Sequence, residues 1–221
     1  KAQEVFNQIP NPNVVCWTVL IAAYTQHGLG EKGLFFFAQM QEKGLTPDAL
    51  TYVCALNACG SIAACDKGKE IHAEILRERL LGKDIILGNA LIDMYGKLQI
   101  SLKAQEIFDE YHLRDVVTWN VLISGYSQQG NGTEALICFK RMQCEAFPPD
   151  AVTFSCILKA CGISRVLERG IEVHVMIETG GILQMNSMVG SALVEMYAIY
   201  MSSLVCLQKQ KKCLKIFTFE M

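Results

Sequence analysis

The amino-acid sequence predicts an all-α fold, a solenoid of stacked helix-turn-helix repeats. Two observations carry that expectation. The chain repeats itself at an offset of 102 residues, and inside each period apolar residues recur at helical spacing with no strand-like alternation. Residues 14–48 read VVCWTVLIAAYTQHGLGEKGLFFFAQMQEKGLTPD and residues 116–150 read VVTWNVLISGYSQQGNGTEALICFKRMQCEAFPPD; 16 of 35 positions are identical without a gap. The offset holds downstream, where 49–84 aligns with 151–186 and LGNALIDMY at 87–95 with VGSALVEMY at 189–197. It also holds upstream, where KAQEVF at 1–6 matches KAQEIF at 103–108.

Each period divides into units of 35, 36 and 31 residues: 14–48, 49–84 and 85–115, then 116–150, 151–186 and a degenerate unit 187–221. Residues 1–13 read as the end of a truncated unit, so the chain is expected to be part of a longer protein. Each unit reads as two helices. In 14–48, Trp17, Leu20, Ile21 and Tyr24 fall at i, i+3, i+4 and i+7, one helical stripe. Gly28-Leu29-Gly30 breaks that helix, Leu34, Phe37 and Met40 form a second stripe, and Gly44 and Pro47 end it. The partner unit repeats the plan with Trp119, Leu122, Ile123 and Tyr126, then Gly130, then Leu136, Phe139 and Met142. One such hairpin cannot bury its apolar faces alone, and stacking its neighbours makes a continuous core. All of these residues are therefore expected to be core. The last unit departs from the plan. After Tyr197 the expected turn is replaced by AIYMSSLVCLQKQ, and KCLKIF at 212–217 resembles 103–108 at an offset of 109, so a distorted end is expected.

Composition narrows the function. The chain has 221 residues, 51% hydrophobic and 19% charged, with a net charge of −2, a pI of about 6.1 and a mean hydropathy of +0.24. No window holds the ~18 to 20 uninterrupted apolar residues of a membrane-spanning helix, so the apolar faces must bury against one another. The near-neutral balance lacks the basic footprint of proteins that grip nucleic acid by charge. Ten cysteines include no C-x-x-C pair, and Cys54 and Cys59 recur as Cys156 and Cys161 inside apolar helical segments. Buried thiols in a reducing interior are expected, with no metal and no cofactor.

The strings VVxWNxLIxGYxQxG, EALxxFxxMQ, VTFxxILxACG and GNALIDMYGK resemble pentatricopeptide repeat proteins, and the alternation of 35, 36 and 31 residues resembles that family's plant-type P, L and S class. The resemblance covers residues 1 to about 198. It implies a right-handed superhelical solenoid that binds single-stranded RNA in organellar RNA processing, as the recognition module of a C-to-U RNA editing factor. The implied partners are an organellar transcript and other editing factors, with no membrane, and the implied location is the mitochondrion or chloroplast.

The chemistry is sound on its own terms. Sequence-specific RNA readers act on unstacked single-stranded bases, and helical-repeat readers devote about one repeat to one base. In the family, the fifth and last residues of a repeat choose the base and the second packs on its face. Carried over, Thr18 with Asp48 is a pairing associated with G. Asn89 with Asp115, and Asn120 with Asp150, are associated with U. Ser155 with Asn186 leans toward A, whereas Val53 with Asp84 has no hydrogen-bonding first member. The packing residues are Val15, Ile86, Val117 and Val152, with Leu50 and Met188 in the same register. Asn13 closes the truncated unit, and nothing beyond Ser191 is assigned. Asp48, Asp115 and Asp150 each also stand where a helix begins, so the same carboxylate can cap the helix and face the groove.

The first helices carry only Lys97 and Lys159 as cations, while Lys67, Lys69, Arg77 and Arg79 fall elsewhere. Attraction for the RNA backbone is therefore expected to be weak, which leaves base stacking, worth about 1 to 3 kcal/mol each, to carry more of the binding. The same poverty of charge supports a second reading, a protein-interaction scaffold. His72-Ala73-Glu74 matches H-x-E, half of the zinc deaminase signature, but the P-C-x-x-C half is absent and His72 recurs as His174 within the repeat. No enzyme is expected in these residues; a deaminase domain in a longer protein is the third reading. The glycine pairs at 28–30 and 130–132 read as interhelical turns, and the charged run 209–212 as a solvated helix face.

Overall fold

The computed structural model describes residues 1–82, 84–182 and 186–217, with side chains to Ser202. Among the described residues all regular structure is helical: α1 Ala2–Asn7, α2 Val14–Gln26, α3 Gly30–Glu42, α4 Ala49–Ser61, α5 Cys65–Arg77, α6 Ile85–Lys97, α7 Ser101–Glu110, α8 Val116–Gln128, α9 Gly132–Cys144, α10 Ala151–Ser164, α11 Leu167–Thr179 and α12 Ser187–Phe217. The chain forms two compact units, residues 1–125 and 126–221, with the boundary inside α8.

The turns explain why the helices stop where they do. A single left-handed residue follows each of α2, α4, α6, α8 and α10: Gly28, Ala63, Gln99, Gly130 and Arg165, with φ between +55 and +78°. The second helices α3, α5, α9 and α11 are followed in the same way by Gly44, Arg79, Ala146 and Gly181. A left-handed residue lets the next amide bond back to the exposed helix carbonyls. Ala64 N–H donates to Cys59 O, for example, and Ile100 N–H to Tyr95 O.

In the first unit α2, α4 and α6 pack side by side, and α3, α5 and α7 each pair with the helix before them. Trp17, Leu20 and Ile21 are buried, as are Phe37 and Met40, while Tyr24 and Leu34 are half-buried. Tyr24 stacks on Phe36 at 5.2 Å instead of entering the core. Phe108 meets Trp119 edge-to-face at 4.5 Å. α6 and α8 approach so closely at Gly96 and Gly125 that a Cβ on Gly96 would sit 3.3 Å from the Gly125 Cα.

In the second unit α10 packs against α9, α11 and α12. Tyr126, Phe139 and Met142 are buried and Leu136 is half-buried. α12 runs unbroken from Ser187 to Phe217, with no turn at the position equivalent to Gln99. The likeness of 212–217 to 103–108 and the charged run 209–212 concern side chains that lie outside the described residues. Among the described residues no helix is long and apolar enough to cross a membrane.

Candidate nucleic-acid interface

The sequence-predicted site residues sit at the starts of the first helices, and the local chemistry there is helix capping. Asp48 Oδ1 accepts the Thr51 N–H at 2.8 Å and the Thr51 hydroxyl at 2.6 Å. Asp115 Oδ1 accepts the same two groups of Thr118 at 2.8 and 2.9 Å, and Asp150 Oδ1 those of Thr153 at 2.8 and 3.0 Å. The amides return the contact, from Asp115 N–H to Thr118 Oγ1 and from Asp150 N–H to Thr153 Oγ1. Where the third residue of the next helix is not threonine, the cap changes. Asp84 and Asn186 instead accept the N–H two residues on, from Ile86 and Met188, and Asn13 accepts the Cys16 N–H. The D-x-x-T spacing at 48/51, 115/118 and 150/153 was legible in the sequence, yet the threonines were not among the expected site residues.

The fifth-position side chains lie deeper. Thr18 and Asn120 are buried, at 4 and 7% exposure; Asn89 and Ser155 are half-buried. Contact with a base therefore requires its edge to enter between helices instead of resting on them. Asn89 Oδ1 and Ser155 Oγ are buried with no hydrogen-bond partner. Such orphaned atoms cost about 1 to 3 kcal/mol each, and they are rare enough in native proteins to call for a cause. Thr18 is satisfied: its Oγ1 lies 2.9 Å from Val14 O and 2.7 Å from Thr51 Oγ1. Thr18 and Asp48 are thus brought together through Thr51. No hydrogen bond joins Asn89 to Asp115, or Ser155 to Asn186, among the described residues. Val53 is half-buried and apolar. Ser191 donates to Ser187 O at 3.1 Å within its own helix.

The second positions lie on the surface. Val15, Leu50, Ile86, Val117, Val152 and Met188 are all exposed, between 44 and 63%. An exposed aliphatic side chain is unremarkable singly. Six in one register, each beside a capped helix start, offer flat apolar contact to planar partners.

Little positive charge accompanies them. Lys97 is tied to Asp93 at 2.6 Å. On the second helices Lys67, Lys69, Lys103, Arg141 and Arg169 each pair with a carboxylate three or four residues away.

His72 is buried, with Nδ1 2.9 Å from the Tyr95 hydroxyl, and burial followed by the nearby Lys103 lowers its pKa. It packs as core against Tyr95, and no cluster of metal-binding side chains occurs among the described residues. Cys54, Cys59 and Cys161 are buried and Cys156 is half-buried. Burial pushes the Cys59 thiol up to about 12 and the Cys161 thiol to about 11, so both stay protonated and behave as small hydrophobes.

The pentatricopeptide repeat (PPR repeat) family model matches residues 12–61 and 114–162, two stretches in the register of the internal period. The chain belongs to the pentatricopeptide repeat family. Relatives share its repeats over most of its length. It is 38% identical over 196 residues to the chloroplastic pentatricopeptide repeat-containing protein At4g18520 of Arabidopsis thaliana, covering 89% of this chain and 31% of that protein. It is 36% identical over 197 residues to the mitochondrial At2g03380 of the same plant, covering 89% of this chain and 28% of that one. The chain spans about a third of the length of the curated relatives it matches. Among solved structures, the pentatricopeptide repeat protein PPR10 from maize matches 98% of this chain and 32% of its own, at 23% identity and a TM-score of 0.65. PPR10 in complex with an 18-nucleotide psaJ RNA element matches 86% of this chain and 27% of its own, at 19% identity and a TM-score of 0.67. The fold class is that of the all-α helical-repeat solenoids.

Proposed function

We propose that these pentatricopeptide repeats bind single-stranded RNA and select bases one repeat at a time. The fifth and last residues (Thr18 and Asp48, Asn89 and Asp115, Asn120 and Asp150, Ser155 and Asn186) choose the base, and Val15, Ile86, Val117 and Val152 pack on base faces. The division into P, L and S repeats sets that register. The observation that carries this reading is that two of the buried, unpartnered polar atoms are Asn89 Oδ1 and Ser155 Oγ. Both fall at fifth positions, and a base edge supplies the hydrogen-bond partners they lack. The PPR10 complex with its RNA element, on the same fold, adds support. The process served is organellar RNA processing, in the mitochondrion or chloroplast as the names of the relatives suggest, and the finer role is the recognition module of a C-to-U editing factor working with further editing proteins.

The test is fluorescence anisotropy at low ionic strength with a short single-stranded RNA carrying G-x-U-U, against a scrambled probe of the same composition. Tighter binding of G-x-U-U is expected, and Asn120→Thr should shift preference at one base only. Equal binding of both probes sinks base selection. The scarcity of unpaired cations beside the site favours a second reading, a protein-interaction scaffold, and binding to neither RNA is the outcome that supports it.

A further inference from the structure

Thr18 and Thr51 are 33 residues apart, in adjacent repeats, and their hydroxyl oxygens lie 2.7 Å from each other in a buried contact. Thr18 Oγ1 also lies 2.9 Å from Val14 O, and Thr51 Oγ1 lies 2.6 Å from Asp48 Oδ1. Three short contacts are thus served by two hydroxyl hydrogens. Val14 O and the Asp48 carboxylate can only accept.

With each hydroxyl donating within the cluster, as burial favours, the hydrogens can be placed in three ways. Thr18 can donate to Thr51, and Thr51 to Asp48, which leaves the Val14 carbonyl as a secondary acceptor. Thr18 can donate to Val14 while Thr51 donates to Asp48, which sets two bare oxygens against each other at 2.7 Å. Thr18 can donate to Val14 while Thr51 donates to Thr18, which sets the Thr51 oxygen bare against the Asp48 carboxylate at 2.6 Å. The first arrangement avoids both repulsions, and its two hydrogen bonds run in one direction toward the charge and polarise each other. In all three the Thr18 hydrogen stays inside the protein.

We infer that Thr51 is a positioning residue for base selection by Thr18 and Asp48, holding the Thr18 hydroxyl as an acceptor toward any incoming base. This rests on the RNA-reading function proposed above. An acceptor at Thr18 suits a base with a donor at the centre of its Watson–Crick edge, such as the N1–H of guanine. It opposes the ring-nitrogen acceptor that adenine and cytosine present there. A hydroxyl free to rotate would serve either class. The remaining oxygen of Asp48 is a second acceptor beside the first, and guanine places its N2 amino group next to N1–H.

The repeat 85–115, in the same compact unit, supplies an internal control. Thr118 makes the same cap contacts to Asp115 that Thr51 makes to Asp48, but no hydrogen bond joins Thr118 to Asn89, whose Oδ1 is unpartnered. A threonine that only caps should leave base choice alone; one wired to the fifth residue should not.

The experiment measures binding of this chain, at low ionic strength, to four RNAs that differ only at the first base of G-x-U-U. Wild type is expected to favour G over A by about tenfold, the scale of one good base contact. Thr51→Val, which keeps the shape and removes the hydroxyl, should cut that preference to about twofold. Thr51→Ser should retain it, and Thr51→Ala serves if the valine variant does not fold. Thr118→Val should leave preference at the base facing Asn89 unchanged. A tenfold preference that survives Thr51→Val at unchanged helicity overturns this inference while leaving RNA reading intact. Wild type with no preference at this base overturns both.

Discussion

His72 Nδ1 lies 2.9 Å from the Tyr95 hydroxyl, and the same pair recurs 102 residues on, with His174 Nδ1 3.0 Å from the Tyr197 hydroxyl. The two rings also meet edge-on in each case, at 5.6 and 5.8 Å. The histidine of an H-x-E string is thereby explained as a joint between a second helix and the first helix of the next repeat.

That joint makes stability depend on pH. Burial, then Lys103, lowers the His72 pKa in the folded chain. The unfolded chain therefore binds a proton first as pH falls through about 6.5, the ordinary histidine value. Below that, stability contributed by neutral His72 is lost progressively until the folded pKa is passed, each unit of depression being worth about 1.4 kcal/mol. Thermal melting followed by circular dichroism should show a midpoint lower at pH 5 than at pH 7, and His72→Gln should narrow that difference. An unchanged difference would show that other groups carry it.

The carboxylate caps give a second expectation. Asp115→Ala removes an acceptor from both the N–H and the hydroxyl of Thr118. The loss should be about 1 kcal/mol of stability, the usual worth of an N-cap. Asp115→Asn keeps an acceptor for the N–H and should cost less. If Asp115 also reads a base, Asp115→Asn should alter RNA preference at one position while melting barely moves, a split that capping alone would not produce.

The same comparison indicates what the sequence could and could not disclose. Hairpin order and the buried stripe at Trp17, Leu20 and Ile21 follow from a period that any reader of the chain can find. The exposed apolar second positions follow from it too. The link from Thr18 to Thr51 does not, because it depends on how two repeats stack and not on the residues of either. The left-handed turns are legible at Gly28 and Gly130, but Ala63, Gln99 and Arg165 adopt the same conformation with no local cue. Packing of the two flanking helices imposes it. The unbroken α12 is a third case: the missing turn motif after Tyr197 was visible, and a helix that continues is what remains when nothing stops it.

The turns can be tested by exchange. Ala63 has a φ of +55° and is exposed, so Ala63→Gly removes the steric conflict of a left-handed Cβ without opening a cavity. The relief, about 1 to 2 kcal/mol, is partly offset by the greater freedom of glycine in the unfolded chain. A net gain of about 0.5 to 1 kcal/mol is expected by urea denaturation. Gly28→Ala is the converse. A Cβ there would meet nothing within 4 Å, so its cost isolates the backbone term, because φ is +73°. A loss of about 1 kcal/mol is expected. Gains or losses of the opposite sign would mean that these turns rearrange on substitution.

Charge placement leads to the last expectation. The affinity of a protein for single-stranded nucleic acid falls with salt at a slope of about −0.7 per phosphate neutralised. Among the described side chains of the first helices Lys97 is held by Asp93 at 2.6 Å, and Lys159, exposed on α10, is the other cation. On the second helices Lys67, Lys69, Lys103, Arg141 and Arg169 are engaged in ion pairs of their own. Exposed pairs of this kind are worth little to stability, but in each the carboxylate offsets the positive charge that a phosphate would meet. The slope of log affinity against log salt should therefore be shallow, about −1 to −2, and Lys159→Gln should reduce it by less than about 1. Affinity should then track the exposed packing residues: Val117→Ser should weaken binding of every RNA by a similar factor, because stacking does not depend on base identity. Submicromolar binding by this chain at physiological salt, or a slope steeper than about −4, would place the binding surface elsewhere, on the cation-rich second helices.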